Sequence, residues 1–296
     1  MKQKLNKKTY FIVGALLTAL AFLFLPIFSL SETSETIIYF PEDSNITFPE
    51  KSTEIQLREL KDENEYLLEW QFYSTSSESV YLRQDISLLF ENGILVDKRS
   101  ESKQNNNKIT GKSSFYGEDS GKHVAISLHY AEVHYPEELI KSKRTMSQDT
   151  LYIIDSPLSP ILTFREPKTT MEKRSKNLLD SIIEQQLMYK WEELLEEFQI
   201  NRSTYFEIPF DKLAKYESQP FPSFTQEKTN EVLGKLWEGL YRYYILGVNT
   251  FTDKDYDPIG NTLPLILLHE NGGHLLVLYE TDDGTKQQLL QHIKKD

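Results

Sequence analysis

The chain has 296 residues, with 45 acidic and 33 basic side chains and a net charge of −12. That charge disfavours broad basic surfaces for nucleic acid or anionic lipid, so no nucleic-acid partner is predicted. The sequence contains no cysteine, which excludes disulfides, thiolate nucleophiles and cysteine-ligated metals from it.

The N-terminus combines a basic patch with a long apolar run. Four lysines lie within residues 1–8, and residues 11–28 are apolar apart from Gly14, Thr18 and Pro26. A helix of this length spans about 27 Å, close to the thickness of a bilayer core. Because positive charge stays on the cytoplasmic side, the segment is predicted to place the rest of the chain outside the cell.

Residues 1–31 fit two interpretations, an uncleaved single-pass anchor and a removable signal peptide. The length of the apolar run favours the anchor, since cleaved signals usually have apolar regions of about 7–15 residues. Pro26 breaks a helix, and Ser29 with Ser31 imitates a cleavage site. We predict a protein of the cell membrane whose C-terminal part lies outside, and the alternative is secretion after cleavage near Ser31.

Residues 32–166 alternate short apolar stretches with polar turns. Asn92-Gly93 between two apolar runs is the favoured type I′ hairpin turn. An antiparallel β-sandwich-like domain is therefore predicted, in which Asn105–Asn107 and 136–149 are loops or edge coverings. The predicted strands are 53–60, 66–74, 79–90, 94–98, 123–130 and 151–154.

A helical pattern begins near residue 167. Thr169 and Glu172 form a predicted capping box, and an apolar stripe with helical spacing follows it as far as Phe198. A second helix is predicted over 224–246, before Gly247. Gly234 and Gly239 within it cost about 1 kcal/mol each relative to alanine, which predicts close packing at both.

The end of the chain is predicted to be a hairpin followed by a helix. Strand-like runs at 263–269 and 274–280 flank a turn rich in asparagine and glycine, and Asp282 or Asp283 is expected to cap a last helix. Residues 167–296 are therefore predicted to form an α+β domain with two main helices and a C-terminal β-hairpin. The chain as a whole is predicted to be α+β.

His269 and His274 first resemble a zinc-protease signature, but their spacing differs from it. They stand five residues apart, which on a helix is about 140° around the axis, so they cannot share a helical face. Across a hairpin the two could ligate a metal if a carboxylate or a third histidine joined them. Packed or solvated histidines beside a turn are the favoured interpretation.

Asp253, Asp255 and Asp257 resemble the opening of a calcium loop. Alternating carboxylates in a turn bring their oxygens together, and calcium takes six to eight of them. The pattern then fails, because Pro258 stands where the loop needs glycine and Pro264 where it needs glutamate. An acidic solvated loop is favoured, a calcium site is the alternative, and no other cofactor is predicted.

Catalytic motifs are lacking. There is no G-x-S-x-G elbow or S-x-x-K motif, and His123 and His129 fall on the polar side of one predicted strand, where surface positions explain them. Hydrolysis of a polymer by a pair of carboxyl groups stays an open alternative, because the sequence has 45 acidic residues from which such a pair could come.

One aromatic group favours binding. Tyrosine and tryptophan are common at interfaces and suit sugar rings, although the helical stripe explains part of the group as core, and core is the favoured interpretation. The candidate binding residues are Trp237, Tyr241, Tyr243, Tyr244 and Tyr256, with Phe251 beside them.

These features predict a membrane-anchored, extracytoplasmic binding protein of a bacterial cell envelope, without catalysis. Its expected partner is an envelope protein or a wall glycan, and residues 11–28 would contact the membrane. Two alternatives stay open: a hydrolase of wall polymers, and a regulator that contacts a membrane partner through its tether.

Overall fold

The computed structural model describes residues 38–60, 65–156, 159–248 and 256–294. Within these ranges the chain forms two antiparallel sheets and two α-helices, which confirms the α+β class. The predicted anchor, residues 1–31, lies outside them. None of the helices in the described part is long and apolar enough to cross a membrane.

The first sheet has the strand order β1-β2-β4-β5-β6, and β3 runs along the other edge of β2. Its strands are β1 Glu50–Leu60, β2 Tyr66–Glu91, β3 Ile94–Gly117, β4 Gly121–His134, β5 Ile140–Ser156 and β6 Ser159–Phe164. The first half of β2 pairs with β1 and its second half pairs with β4. The sandwich arrangement itself stays a prediction.

The turn between β2 and β3 is the predicted type I′ turn. Asn92 and Gly93 have φ of 51° and 85°, and this turn requires positive φ at both positions. A Cβ atom on Gly93 would lie 2.7 Å from the Leu187 side chain, so the turn also packs closely against the following helix.

Two segments predicted as loops belong to strands. Asn105–Asn107 lies inside β3 opposite a shift in the pairing with β2, and Asn105 has φ of 48°, so a local irregularity replaces the loop. The segment 136–149 leads into β5, which begins at Ile140. The β5 side chains Thr145, Ser147 and Asp149 are polar because they bond to β1, so the strand lacks the apolar alternation that would have revealed it.

The second half of the chain supplies both α-helices and a four-stranded sheet of order β10-β9-β8-β7. Its elements are α1 Thr170–Glu197, β7 Tyr205–Pro209, a 3-10 helix Phe210–Glu217, α2 Gln226–Gly239 with a π-helical turn Leu240–Ile245, β8 Leu265–His269, β9 His274–Glu280 and β10 Lys286–His292. The capping box is confirmed, since Thr169 Oγ1 accepts from the Glu172 N–H at 3.1 Å and the Glu172 carboxylate accepts from the Thr169 N–H. The predicted β8–β9 hairpin is also confirmed.

The predicted last helix is wrong. Residues 286–292 form β10, which pairs with β9 along its whole length. Asp283 accepts hydrogen bonds from Thr281 and Thr285, and Gly284 has φ of 80°, so the segment makes a reversing turn where a helix start was expected. Pairing with the open edge of β9 outweighs the helix propensity of the lysine, glutamine and leucine residues.

One core joins the two halves of the chain. Ile86, Leu88 and Leu128 of the first sheet belong to the same buried cluster as Trp237 of α2 and Val277 of β9. The division into separate domains at 32–166 and 167–296 stays a prediction.

Candidate functional site

A cleft of about 490 Å³ lies where β5 meets α2 and the 3-10 helix Phe210–Glu217. Its charged and amide side chains are Glu42, Lys51, Lys143, Arg144, Glu217 and Asn230, and Phe48, Met146, Leu233 and Trp237 supply apolar wall. Glu42 and Lys143 also border a second depression of about 790 Å³, and we call the two depressions together the groove. A further depression on α1 is a shallow strip lined by that helix alone.

The carboxylate of Glu217 is fixed at one side of the cleft. It accepts from the Met146 N–H at 2.7 Å and from the Thr145 hydroxyl at 3.1 Å. Lys51 Nζ lies 3.0 Å from Glu217 Oε2, the same oxygen that accepts from Thr145, and Lys51 also bonds to the Thr145 hydroxyl. Glu217, the last residue of the 3-10 helix, therefore links β1 to β5 and holds Lys51 beside it in the cleft.

Arg144 lies half-buried in the cleft. Its guanidinium donates to the Asn230 carbonyl, and burial lowers its pKa although Glu42 and Glu217 oppose that shift. A Cβ atom on Gly234 would lie 2.7 Å from Arg144 Nη1 and 2.3 Å from the Tyr39 ring. The close packing predicted from Gly234 is confirmed, whereas Gly239 has no atom within 4 Å of such a Cβ.

The carboxylate of Glu42 belongs to a residue that lines both depressions of the groove. It bonds to Lys143 and accepts from Asn230 Nδ2 at 3.2 Å. Burial acts to raise its pKa, but the hydrogen bond and charge of Lys143, with help from Asn230 and Arg144, hold the pKa below its ordinary value. Glu42 is therefore an anion at neutral pH.

A buried chain of hydrogen bonds lies behind the cleft. His129 Nδ1 lies 2.6 Å from Asp85 Oδ2, and His129 Nε2 lies 2.7 Å from Ser147 Oγ. Asp85 also accepts from Arg83 at 3.1 Å and from Ser74. A serine, a histidine and an aspartate in this order are the groups of a serine-hydrolase triad.

The chain continues beyond Ser147 toward the middle of the sheet. Thr53 of β1 lies 2.6 Å from both Ser147 and Ser127, and Ser127 lies 2.6 Å from Ser87. The Phe48 ring separates the cleft from this network, with the Arg83 guanidinium 4.7 Å from its centroid and the His129 ring at 6.4 Å.

The surface positions predicted for His123 and His129 are wrong, since both side chains are fully buried. Their alternation with apolar neighbours along β4 is as predicted, but both faces of β4 are covered. One face belongs to the main core, and β1 folds over the other. Buried polar groups need partners, and Asp85 and Ser147 supply them to His129.

The structure does not gather the predicted aromatic residues into one surface. Trp237, Tyr241 and Tyr244 lie in the core, as the favoured interpretation predicts, and only Trp237 also borders the cleft. Tyr243 and Tyr256 are half-buried, and the Tyr256 hydroxyl donates to the Tyr244 carbonyl at 2.8 Å. Phe251 lies outside the described residues.

Of the predicted calcium ligands, Asp253 and Asp255 lie outside the described residues. Asp257 is exposed and accepts from the Ile259 N–H at 3.2 Å, which is a turn contact. Within the described ranges there is no group of three or more histidine, aspartate or glutamate side chains that could hold a metal ion. The calcium site stays a prediction.

The predicted cross-strand histidine pair exists. The His269 and His274 rings lie 4.8 Å apart, and His274 Nε2 lies 2.9 Å from the Tyr205 hydroxyl. Burial, and then the neighbouring His269 and His292, lower the pKa of His274. His274 is therefore a neutral, packed histidine beside a turn at neutral pH.

Apart from Trp237, the residues that line the cleft were not identified from the sequence. These residues are distant in the chain and belong to no motif, so only the packing of β1, β5, α2 and the 3-10 helix brings them together. They are Phe48, which precedes β1, and Lys51, Arg144, Glu217 and Asn230. Comparison with known proteins adds no relative, because no family model, no curated protein and no solved structure matches this chain.

Proposed function

We propose that this chain is a membrane-anchored, extracytoplasmic protein of a bacterial cell envelope that binds a wall glycan in the cleft, without catalysing a reaction. The observation that carries the proposal is the mixture of groups in one concave site. Arg144, Lys51, Glu217 and Asn230 offer donors and acceptors beside the half-buried Phe48 ring. Sugars present hydroxyls at their edges and C–H groups on their faces, which suits such a mixture.

The shape of the groove favours a glycan over a protein as the partner. Protein interfaces of the standard size bury about 800 Å² on each side and have a buried core that is more apolar and poorer in charged residues than the rim. Here the polar groups line a concavity of about 490 Å³, and Glu42 and Lys143 border a second depression as well. A linear chain of sugars could follow this groove, with one unit in each depression.

The charges in the groove disfavour hydrolysis by a pair of carboxylates. A glycosidase needs one carboxyl group with a raised pKa to act as the general acid. Glu42 has a lowered pKa, and Glu217 is occupied by Lys51 and the Met146 N–H. The two groups act better as fixed acceptors for sugar hydroxyls than as an acid and a nucleophile.

Binding can be measured by calorimetry with a soluble tetramer of N-acetylglucosamine and with a disaccharide-peptide fragment of bacterial cell wall as separate probes. Changing Lys51 to methionine removes a charged donor from the cleft, and such hydrogen bonds contribute about 1.5–3 kcal/mol. We expect the dissociation constant to rise about tenfold or more.

Lys103→Met is the matched control, because Lys103 is exposed on β3 away from the cleft. Its affinity should equal that of the unchanged protein. Failure of both probes to bind would contradict the proposal, as would an equal effect of the two lysine substitutions.

A second candidate function is hydrolysis at Ser147, favoured by the order of hydrogen bonds from Asp85 through His129 to Ser147. In that chemistry His129 takes the proton of the Ser147 hydroxyl while Asp85 orients the imidazole. It ranks second because His129 and Asp85 are fully buried and Thr53 shares the hydroxyl of Ser147.

A fluorophosphonate probe separates the two candidates, since it labels an activated serine. Hydrolysis predicts covalent labelling that Ser147→Ala abolishes and Ser87→Ala, at the far end of the same hydrogen-bond chain, preserves. Protein that stays unlabelled, with binding to glycan intact, would exclude Ser147 as a nucleophile and leave the binding function in place.

A further inference from the structure

Arg144 has more hydrogen-bond donors than the fold uses. A guanidinium carries five N–H groups, and Arg144 donates one bond, from Nη2 to the Asn230 carbonyl. Nε and Nη1 have no hydrogen-bond partner within the described residues, yet neither atom is fully enclosed. Since Arg144 lines the cleft, these donors can reach a molecule that binds there.

Arg83 provides a contrast within the same chain. Its partners are the hydroxyls of Ser74 and Ser76, the carbonyls of Asn107 and Tyr130, and the carboxylate of Asp85. These five hydrogen bonds give each of its N–H groups a partner, and one of the partners carries a negative charge. The arginine behind the cleft is therefore fully paired, whereas the arginine in the cleft is not.

The cleft also holds one more positive charge than its own carboxylates balance. Lys51 lies 3.0 Å from Glu217, and Lys143 bonds to Glu42, so each carboxylate already contacts a lysine. Arg144 forms no ion pair with any residue in the described ranges. Because a partly buried charge without a partner is costly, an anion that enters the cleft would be stabilised beside this guanidinium.

The apolar wall of the cleft stands beside Arg144. Arg144 and Met146 lie two residues apart on β5, so their side chains point to the same face of the strand. Trp237 donates to the Met146 sulfur at 3.2 Å, and both residues line the cleft. A sugar ring that lies along this wall can turn a substituent on its edge toward Arg144.

We propose that Arg144 binds the carboxylate of an acidic sugar, so that the ligand of the cleft is an anionic glycan. This inference rests on the proposed function, because the carboxylate reaches Arg144 as part of a glycan held in the cleft. The planar fork of a guanidinium matches the two oxygens of a carboxylate, and a hydrogen bond between two charged groups is stronger than one between neutral groups.

Calorimetry with two forms of one ligand tests the pairing. The probe is a tetrasaccharide of alternating N-acetylglucosamine and N-acetylmuramic acid without stem peptides, which carries free carboxylates. Its methyl ester is the same sugar without the charge. We expect the unchanged protein to bind the acid about tenfold or more tightly than the ester, which is the effect of one hydrogen bond between charged groups.

Three variants assign that preference to a residue. Arg144→Gln should bind the acid and the ester equally, because the charge is gone, and Arg144→Lys should keep part of the preference, because it retains the charge without the fork. Lys51→Met is the matched control within the cleft, and it should weaken both forms by the same factor. Both ligands are measured on the same protein, so a loss of stability in a variant affects the two affinities alike.

The outcomes separate this inference from the proposed function. Equal affinity of the unchanged protein for acid and ester would overturn the role of Arg144 and leave glycan binding in place. A preference for the acid that Arg144→Gln retains, or that Lys51→Met abolishes, would overturn the assignment to Arg144. Failure of both forms to bind, together with failure of the two probes named above, would overturn the proposed function and this inference with it.

Discussion

Replacing Asp85 by alanine is expected to lower the free energy of unfolding by about 3–5 kcal/mol, because it leaves a buried arginine without its carboxylate. Asp85 and Arg83 are both fully buried, and the same carboxylate also accepts from His129 and Ser74. Burial already lowers the pKa of Arg83, and the charge of Asp85 opposes that shift. Without Asp85 the desolvated guanidinium has no counter-charge.

Equilibrium unfolding in urea, followed by circular dichroism, measures this loss. Glu101→Ala is the control, because the Arg99 and Glu101 side chains are 50 and 28 % exposed and pairs that water reaches contribute at most about 1 kcal/mol. Asp85→Asn keeps the shape of the side chain, so its loss of free energy of unfolding should lie between those of Asp85→Ala and Glu101→Ala. If Asp85→Ala lowered the free energy of unfolding no more than Glu101→Ala does, the hydrogen bonds and the ion pair of Asp85 would not stabilise the fold.

Replacing Trp237 by alanine is also expected to lower the free energy of unfolding by about 3–5 kcal/mol, because apolar contacts are lost and a cavity is left behind. Trp237 is 1 % exposed, packs edge to face on Phe210 at 5.3 Å and donates to the Met146 sulfur at 3.2 Å. Phe206→Ala is the control, since Phe206 is 43 % exposed and should change stability by no more than about 0.5 kcal/mol.

The same variant tests the predicted division at residue 166. Trp70 lies in a separate core cluster within the first sheet. It reports on that half by fluorescence once Trp191 is changed to phenylalanine and the reference protein carries Trp237→Phe, so that Trp70 is the one tryptophan left. If the two halves unfold together, Trp237→Ala lowers the urea midpoint of the Trp70 fluorescence transition as much as the urea midpoint of the circular dichroism transition. An unchanged Trp70 transition would show that residues 32–166 unfold as an independent domain.

The features predicted correctly from the sequence depend on neighbouring residues. The Thr169 capping box needs only Glu172 three positions later, and the Asn92 turn needs only Gly93. Each places a hydrogen bond or a positive φ that few other residues can supply. Such signals located the start of α1 and the β2–β3 turn.

The candidate site was missed because its signals are long-range. Lys51 meets Glu217 across 166 residues, and Arg144 meets the Asn230 carbonyl across 86. The polar side of β5 resembled a loop, because Ser147 and Asp149 have their partners on β1. The histidines of β4 resembled surface residues for the same reason, since only the fold shows that a second layer covers them.

The contacts between β1 and β5 bear on the order of folding. Three hydrogen bonds join these strands, each across 94 residues, and each uses at least one side chain in place of the backbone ladder of a sheet. The Lys51 and Thr53 side chains bond to Thr145 and Ser147, and the Ile55 N–H donates to the Asp149 carboxylate. Closing so long a loop is entropically costly, and the β1–β5 contacts add little stability until β5 is already in place. We therefore expect this contact to form late in folding, so the buried polar chain behind the cleft becomes complete only when the rest of the sheet is assembled.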